Sequence, residues 1–142
     1  MSQPETLPGN ALFHSEFSLR WGDMDALGHI NNIMYFRYFE QVRIEWYESL
    51  EFGSLEKSAS GMVIVDNHAE YLKPLVYPQQ IHLHMAGHSP GRSSFVSTYT
   101  ITADGVLYSR GSARVVWVDQ SAGKSVPLPD KVRALVSDTQ YA

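Results

Sequence analysis

The residues best suited to chemistry lie close together in one polar segment, residues 22–32. Its carboxylates, Asp23 and Asp25, are followed by His29, with Gly22 before the carboxylates and Gly28 after them. Glycines among polar residues favour a loop over regular structure. A loop carboxylate can attack a carbonyl or activate water, and a nearby histidine can orient it or contact the substrate. Asp25 and His29 are therefore candidate catalytic residues, with ordinary turn roles as the alternative for both.

A helix is predicted to start directly after this loop, and its first amides would complete the site. Asn31 and Asn32 are good N-cap residues. The first N–H groups of a helix lack intrahelical partners and carry partial positive charge, so they can stabilise charge on a carbonyl oxygen. Asp25 can face these amides across a substrate-sized gap. This arrangement suits hydrolysis at a carbonyl group, by direct attack or through a deprotonated water, and the sequence leaves both routes open.

Regular elements are predicted on both sides of this loop. Residues 13–21 alternate apolar and polar side chains, which indicates a half-buried strand. Apolar and aromatic side chains over residues 33–50 follow helical spacing, which predicts a helix of about twenty residues, roughly 30 Å long. Further strands are predicted at residues 62–72, 81–86, 95–102 and 106–119, and a short helix at residues 130–136.

This order of elements predicts an α+β fold, in which an antiparallel sheet of about five strands curls around one long central helix. Pairing of consecutive strands is the simplest topology. Ser109, Gly111 and Ala113 share one side of the last long strand, so the helix should approach the sheet closely there. Residues 1–12 are predicted to be a flexible tail. Residues 13–142 are predicted to be one domain.

Composition narrows the classes of function. The chain has 142 residues, 44% of them hydrophobic, a formal net charge of −4 and no cysteine. The negative charge argues against nucleic-acid binding. No apolar run approaches the length of a membrane span and no signal peptide is recognisable, so we expect a cytoplasmic protein that does not bind membranes. His68, His82, His84 and His88 lack carboxylates or cysteines at ligand spacing, so no metal site is expected.

One motif connects the chain to a known family. Residues 21–32 read Trp-Gly-Asp-Met-Asp-Ala-Leu-Gly-His-Ile-Asn-Asn and are followed by Tyr35 and Arg43. The motif resembles that of the 4-hydroxybenzoyl-CoA thioesterase family, and a looser likeness extends over residues 13–120. The resemblance implies the hotdog fold and hydrolysis of an acyl-CoA thioester to free acid and CoA. It also implies that Asp25 is the catalytic carboxylate and that the backbone amide of Asn32 polarises the thioester carbonyl.

The resemblance further implies a homodimer or homotetramer with the site at the subunit interface, and no cofactor other than the CoA of the substrate. The candidate substrate-binding residues are Gly28, Asn31, Tyr35, Lys73, Arg92 and Ser93. Arg92, in a turn, could meet the coenzyme phosphates.

Some residues carry competing interpretations. Asn31 also suits a helix cap, Asp23 suits a loop-stabilising role, and Glu40 is the reserve catalytic carboxylate. An intrahelical ion pair between Glu40 and Arg43 is the simplest role for those two side chains. Two other functions remain open on the same fold: an enoyl-CoA hydratase or dehydratase, and a non-catalytic acyl-CoA-binding protein.

Overall fold

The computed structural model describes residues 7–52 and 60–137. The elements, in chain order, are β1 (Asn10–Ser18), one turn of 3₁₀ helix (Trp21–Asp23), α1 (Met34–Ser49), β2 (Ser60–Tyr71), β3 (Gln80–His88), β4 (Ser94–Ala103), β5 (Val106–Asp119), β6 (Lys124–Ser125) and α2 (Asp130–Val136). The predicted α+β class is confirmed, and α2 has the predicted bounds. None of the helices in these two ranges is long and apolar enough to cross a membrane.

The N-terminal end of the described chain differs from the expectation. β1 begins at Asn10, inside the range predicted to be a flexible tail, and pairs there with Gly87. The hydroxyl of Thr98 also donates to the carbonyl oxygen of Pro8 at 2.7 Å, which ties the segment before β1 to the sheet. The earlier part of the predicted tail, residues 1–6, lies outside the described residues.

All strand pairs are antiparallel, and the spatial order is β1-β3-β4-β5-β2, with β6 paired to β5. The sheet has six strands where about five were predicted, because β6 is only two residues long and shows no alternation. Consecutive pairing is confirmed for β3, β4 and β5. It is wrong for β2, which pairs with β5 at the far edge instead of with β3. Extra residues in β1, β2 and β5 shift the register and bend these strands, so the sheet is curled.

Helix α1 packs against one face of the sheet. It has 16 residues and begins at Met34, so it is shorter than the predicted helix because Asn31, Asn32 and Ile33 form a turn before it. Its buried side chains include Tyr35, Phe39, Val42, Trp46 and Tyr47 of the predicted stripe, and also Tyr38 and Arg43, which the stripe did not contain. Burial of these large rings against the sheet is the main term that fixes the helix in place.

The small-residue side of β5 allows this close approach, as predicted. A Cβ atom at Gly111 would lie 2.7 Å from Cζ of Phe39, closer than real Cβ contacts. The neighbouring Ser109 and Ala113 are fully buried on the same side of the strand. The position of Phe39, and with it the height of α1 above the sheet, therefore depends on the absence of a side chain at Gly111.

A buried polar cluster lies under the middle of α1. Arg43 is 5% exposed and donates from Nη1 to the hydroxyl of Tyr99 at 2.9 Å. That hydroxyl donates in turn to Oγ of Ser97 at 2.7 Å. Glu40 is exposed, and no ion pair joins it to Arg43 in the described part of the chain, so the predicted intrahelical pair is wrong. Arg43 belongs to the core face because its guanidinium binds the hydroxyl of Tyr99 and lies over the ring, with Cζ 5.8 Å from the ring centroid.

Candidate active site

The predicted loop is a compact turn that places Asp25 at one end. The backbone N–H of Gly28 donates to the carbonyl of Asp25 at 3.0 Å, and the N–H of Asp25 donates to the carbonyl of His29 at 2.9 Å. Gly28 has a φ of 80°, a left-handed conformation that favours glycine. Gly28 therefore shapes the turn and is absent from the residues lining the pocket described below.

The base of the turn is closed by main-chain bonds. Met24 and Ile30 form an isolated antiparallel bridge. The N–H of Asn31 donates to the carbonyl of Asp23 at 2.9 Å, and the N–H of Ile30 donates to the carbonyl of Leu75 at 2.8 Å. These bonds hold the two ends of the turn together and attach it to the chain that follows β2.

The Asp25 carboxylate and the Asn32 amide keep free bonding capacity. Oδ1 of Asp25 accepts the N–H of Leu27 at 2.9 Å, and within residues 7–52 and 60–137 no other group bonds or ion-pairs with this carboxylate. Over the same residues, no acceptor bonds the N–H of Asn32. The side chain of Asn31 accepts the N–H of Ile33 at 3.2 Å within the turn before α1. The N-cap residue of α1 is Ile33 and has no side-chain cap bond, so the predicted cap role of Asn31 is wrong.

These two groups line one open cavity of about 390 Å³. Its lining residues are Asp25, His29, Ile30, Asn32, Tyr35, Tyr71, Leu72, Lys73 and Pro74. The structure thus brings together the predicted Asp25, His29, Asn32, Tyr35 and Lys73. Sequence reasoning missed Tyr71, Leu72, Pro74 and Ile30 as lining residues, although Tyr71, Leu72 and Pro74 flank the predicted Lys73.

Two tyrosines form an aromatic wall beside the turn before α1. The rings of Tyr35 and Tyr71 meet edge to face, with their centroids 4.8 Å apart. The hydroxyl of Tyr71 donates to the carbonyl of Asn32 at 2.9 Å, and the hydroxyl of Tyr35 accepts the N–H of Leu75 at 3.4 Å. Burial is the main cause that raises the pKa of Tyr35 above its ordinary value, so this hydroxyl stays protonated. The wall is neutral and mostly apolar, which suits an acyl group.

Asp23 is bound to a buried tyrosine on α1. The hydroxyl of Tyr38 donates to Oδ2 of Asp23 at 2.8 Å, while the exposed Arg20 lies 3.7 Å from the same oxygen. Burial of Tyr38, and then its bond to Asp23, raise its pKa above the ordinary tyrosine value. The sequence predicted a loop-stabilising role for Asp23 but gave no sign of this partner.

Two predicted substrate-binding residues lie far from this cavity within the chain. Arg92 and Ser93 are in the turn between β3 and β4, where their carbonyls accept bonds from Arg133 and Trp117. The loop with Asp25 follows the other end of β1, at which Ser18 pairs with the first residue of β3. A nine-residue strand, roughly 30 Å long, therefore separates the two ends. One chain does not bring Arg92 or Ser93 to Asp25.

The remaining candidates also lie outside the cavity. His82 and His84 stand on β3 beside His14 of β1, and the rings of His14 and His84 stack with centroids 4.6 Å apart. Among the described residues, no group of three histidine or carboxylate side chains is arranged to hold a metal ion. Glu40, the reserve carboxylate, is exposed on α1 and does not line the cavity.

A curled antiparallel sheet with a helix packed across it is the arrangement of the hotdog fold. Residues 19–136 match the Thioesterase-like superfamily, and the chain belongs to it. The predicted thioester hydrolase is thereby confirmed at the level of the superfamily. Membership of the narrower 4-hydroxybenzoyl-CoA thioesterase family stays a prediction.

Individual relatives agree with this assignment. The PA2801 protein of Pseudomonas aeruginosa, a proposed thioesterase, is 35% identical, has a TM-score of 0.83, and is matched over 87% of this chain and 97% of its own. A thioesterase of Thermus thermophilus, solved with coenzyme A and zinc, is 26% identical with a TM-score of 0.77 over 92% of this chain and 95% of its own. The uncharacterised protein YsmA of Bacillus subtilis is 26% identical over 90% of this chain and 87% of its own.

Proposed function

We propose that this protein hydrolyses acyl-CoA thioesters to a free acid and CoA, with Asp25 as the catalytic carboxylate. The observation that carries the proposal is the cavity of about 390 Å³ that both Asp25 and Asn32 line. In it the carboxylate has no ion-pair partner and the Asn32 N–H has no acceptor among the described residues. A group that attacks or activates water, together with a donor for the oxyanion, is the minimum that thioester hydrolysis requires.

Two routes fit this pair of groups. In the first, Asp25 removes a proton from water as the water oxygen attacks the thioester carbonyl, and the proton passes to the departing CoA thiolate. In the second, Asp25 itself attacks and releases the thiolate, and water then cleaves the mixed anhydride. In both routes the Asn32 N–H donates to the carbonyl oxygen as it becomes negative. His29, also in the cavity, is the candidate for orienting the carboxylate or carrying the proton. Water and substrate supply every atom, so neither route needs a cofactor.

The acyl part of the substrate would lie along the wall formed by Tyr35 and Tyr71, and Lys73 would meet an anionic part of CoA at the rim. A complex of the Thermus thermophilus relative with coenzyme A supports this substrate class. We propose that the reaction takes place in the cytoplasm, without nucleic-acid or membrane partners.

The remote position of Arg92 and Ser93 is explained if a second copy supplies them. Among the described residues β2 pairs with β5 alone, so it is an edge strand, and it exposes Val63 and Val65. A long edge with exposed valines is a surface on which another strand can add. We therefore propose a homodimer, or a homotetramer built from it, with the catalytic cavity completed at the subunit interface and α1 as the central helix of each hotdog subunit.

Mixing two inactive variants tests this shared site. We expect Asp25→Asn and Arg92→Ala to lose activity separately. After denaturation and refolding together, a mixed dimer has one site with both native residues, so activity should return. Light scattering should show a dimer or tetramer, and an active monomer would contradict the proposal.

The reaction itself is tested by offering the protein a panel of acyl-CoA substrates, including crotonyl-CoA, and measuring free thiol and enoyl absorbance in parallel. We expect release of free thiol, and no loss of enoyl absorbance beyond the amount that thioester cleavage accounts for. Loss of enoyl absorbance without thiol would indicate a hydratase. Tight binding with no thiol release across the panel would indicate a binding protein.

A further inference from the structure

The bond between Tyr38 and Asp23 links the two halves of the proposed site. Tyr38 lies on α1 and is 2% exposed, with its ring packed edge to face against Phe17 at 5.1 Å. Its hydroxyl donates to Oδ2 of Asp23 at 2.8 Å. A hydrogen bond to a carboxylate is short and strong, and this one is shielded because the Asp23 side chain is only 14% exposed. The nearby cation Arg20 is 78% exposed, so its ion pair with Asp23 contributes little.

Asp23 in turn is connected to both reacting groups. Asp23 is the first of the Asp-Met-Asp triplet that ends at Asp25. Its carbonyl accepts the N–H of Asn31, the residue before Asn32, at 2.9 Å. The side chain of Asp23 is thus fixed to α1. Its backbone bond joins the segment that carries Asp25 to the segment that leads to Asn32. Movement of Asp23 would change the separation between the carboxylate and the amide.

We propose that Tyr38 is a positioning residue for thioester hydrolysis: by binding Asp23 it sets the distance and angle between the Asp25 carboxylate and the Asn32 N–H. The inference rests on the proposed function and deepens it. Tyr38 does not line the cavity, so it acts through Asp23 and touches no substrate. Catalytic groups lose efficiency steeply when they are displaced by about 1 Å, with a cost near 10²-fold in rate.

The test is the Tyr38→Phe variant, which keeps the buried ring and removes only the hydroxyl. We expect kcat to fall about 10- to 100-fold with KM changed less than about threefold, because substrate contacts are retained. The matched control is Tyr99→Phe, a buried tyrosine whose hydroxyl bonds Arg43 and Ser97 away from the loop. It should lower the thermal midpoint at least as much and leave kcat unchanged at an assay temperature below both midpoints.

A double-mutant comparison separates positioning from general damage. In the Asp25→Asn background, Tyr38→Phe should reduce kcat no further, because there is no carboxylate left to position. An unchanged kcat in Tyr38→Phe, or an equal loss in both backgrounds, would overturn the positioning role. If Asp25→Asn itself leaves the wild-type rate intact, the proposed function fails first. If Asp25→Asn abolishes activity and Tyr38→Phe does not lower it, only the positioning inference fails.

Discussion

The N–H of Asn32 can be removed without disturbing any bond that the structure gives this residue. Proline has no N–H, so Asn32→Pro deletes the proposed oxyanion donor. The carbonyl of Asn32 still accepts the hydroxyl of Tyr71, and the side chain of Asn31 still accepts the N–H of Ile33. Because the amide has no acceptor among the described residues, no structural hydrogen bond disappears with it.

The size of the effect follows from the role. Loss of one oxyanion donor costs about 10²- to 10³-fold in kcat, or about 2.7–4 kcal/mol of transition-state stabilisation. The control is Asn32→Ala, which keeps the N–H and removes the side chain from the cavity rim, and it should cost much less than the proline variant.

Thiol release under saturating acyl-CoA gives kcat for both variants, and circular dichroism with a thermal melt confirms that each is folded. If the proline variant does not fold, an ester in place of the amide between Asn31 and Asn32 removes the same N–H with little change in shape. Either variant, when folded and within about threefold of Asn32→Ala in kcat, would refute the assignment of this amide as the donor.

Three further predictions concern stability and pH. Tyr99→Phe leaves the buried Arg43 without its acceptor and should lower the free energy of unfolding, measured by urea titration, by about 2–3 kcal/mol. The double variant Tyr99→Phe/Arg43→Met should lose less than Tyr99→Phe alone, because no unpaired charge stays buried. Gly111→Ala should lower it by about 1–3 kcal/mol, because the new methyl group would overlap Phe39. Burial, followed by two neighbouring histidines, lowers the pKa of His84 from 6.5. Since the unfolded chain then binds the proton more readily, this part of the stability is present above about pH 6.5 and is lost as the pH falls toward the lower folded pKa. When the urea midpoint is measured above and below pH 6.5, its decrease at the lower pH should be smaller in His84→Gln than in the wild-type protein.

Local pattern was sufficient for most of the elements. The strand predicted at residues 106–119 matches β5, and the short helix predicted at residues 130–136 matches α2. Local sequence pattern carries no information on which strands are neighbours. β2 follows a helix that crosses the sheet, so it could reach either edge, and its pairing with β5 was not predictable from its side chains.

In the candidate site, too, some residues were predictable from local sequence and others depend on tertiary contacts. Asp25, His29 and Asn32 are close in sequence, so a single turn and a helix start were enough to predict that they meet. Tyr71 reaches the cavity only because the end of β2 lies beside the turn before α1, which is a tertiary contact. The bond from Tyr38 to Asp23 depends on the rotation of α1 about its axis. The sequence fixes that rotation only to within the width of the apolar stripe.

The role of the Asp25 carboxylate is tested most directly by the turnover of Asp25→Asn, measured as thiol release from the best acyl-CoA of the panel. The amide keeps an oxygen for the N–H of Leu27, so the turn should survive. Asp119→Asn is the matched control, since that partly buried residue also stabilises a turn, by accepting the N–H of Ser121 with its carboxylate. We predict a fall in kcat of about 10²- to 10⁴-fold for Asp25→Asn and no change for Asp119→Asn. A folded Asp25→Asn protein that turns over within about threefold of wild type would contradict the account.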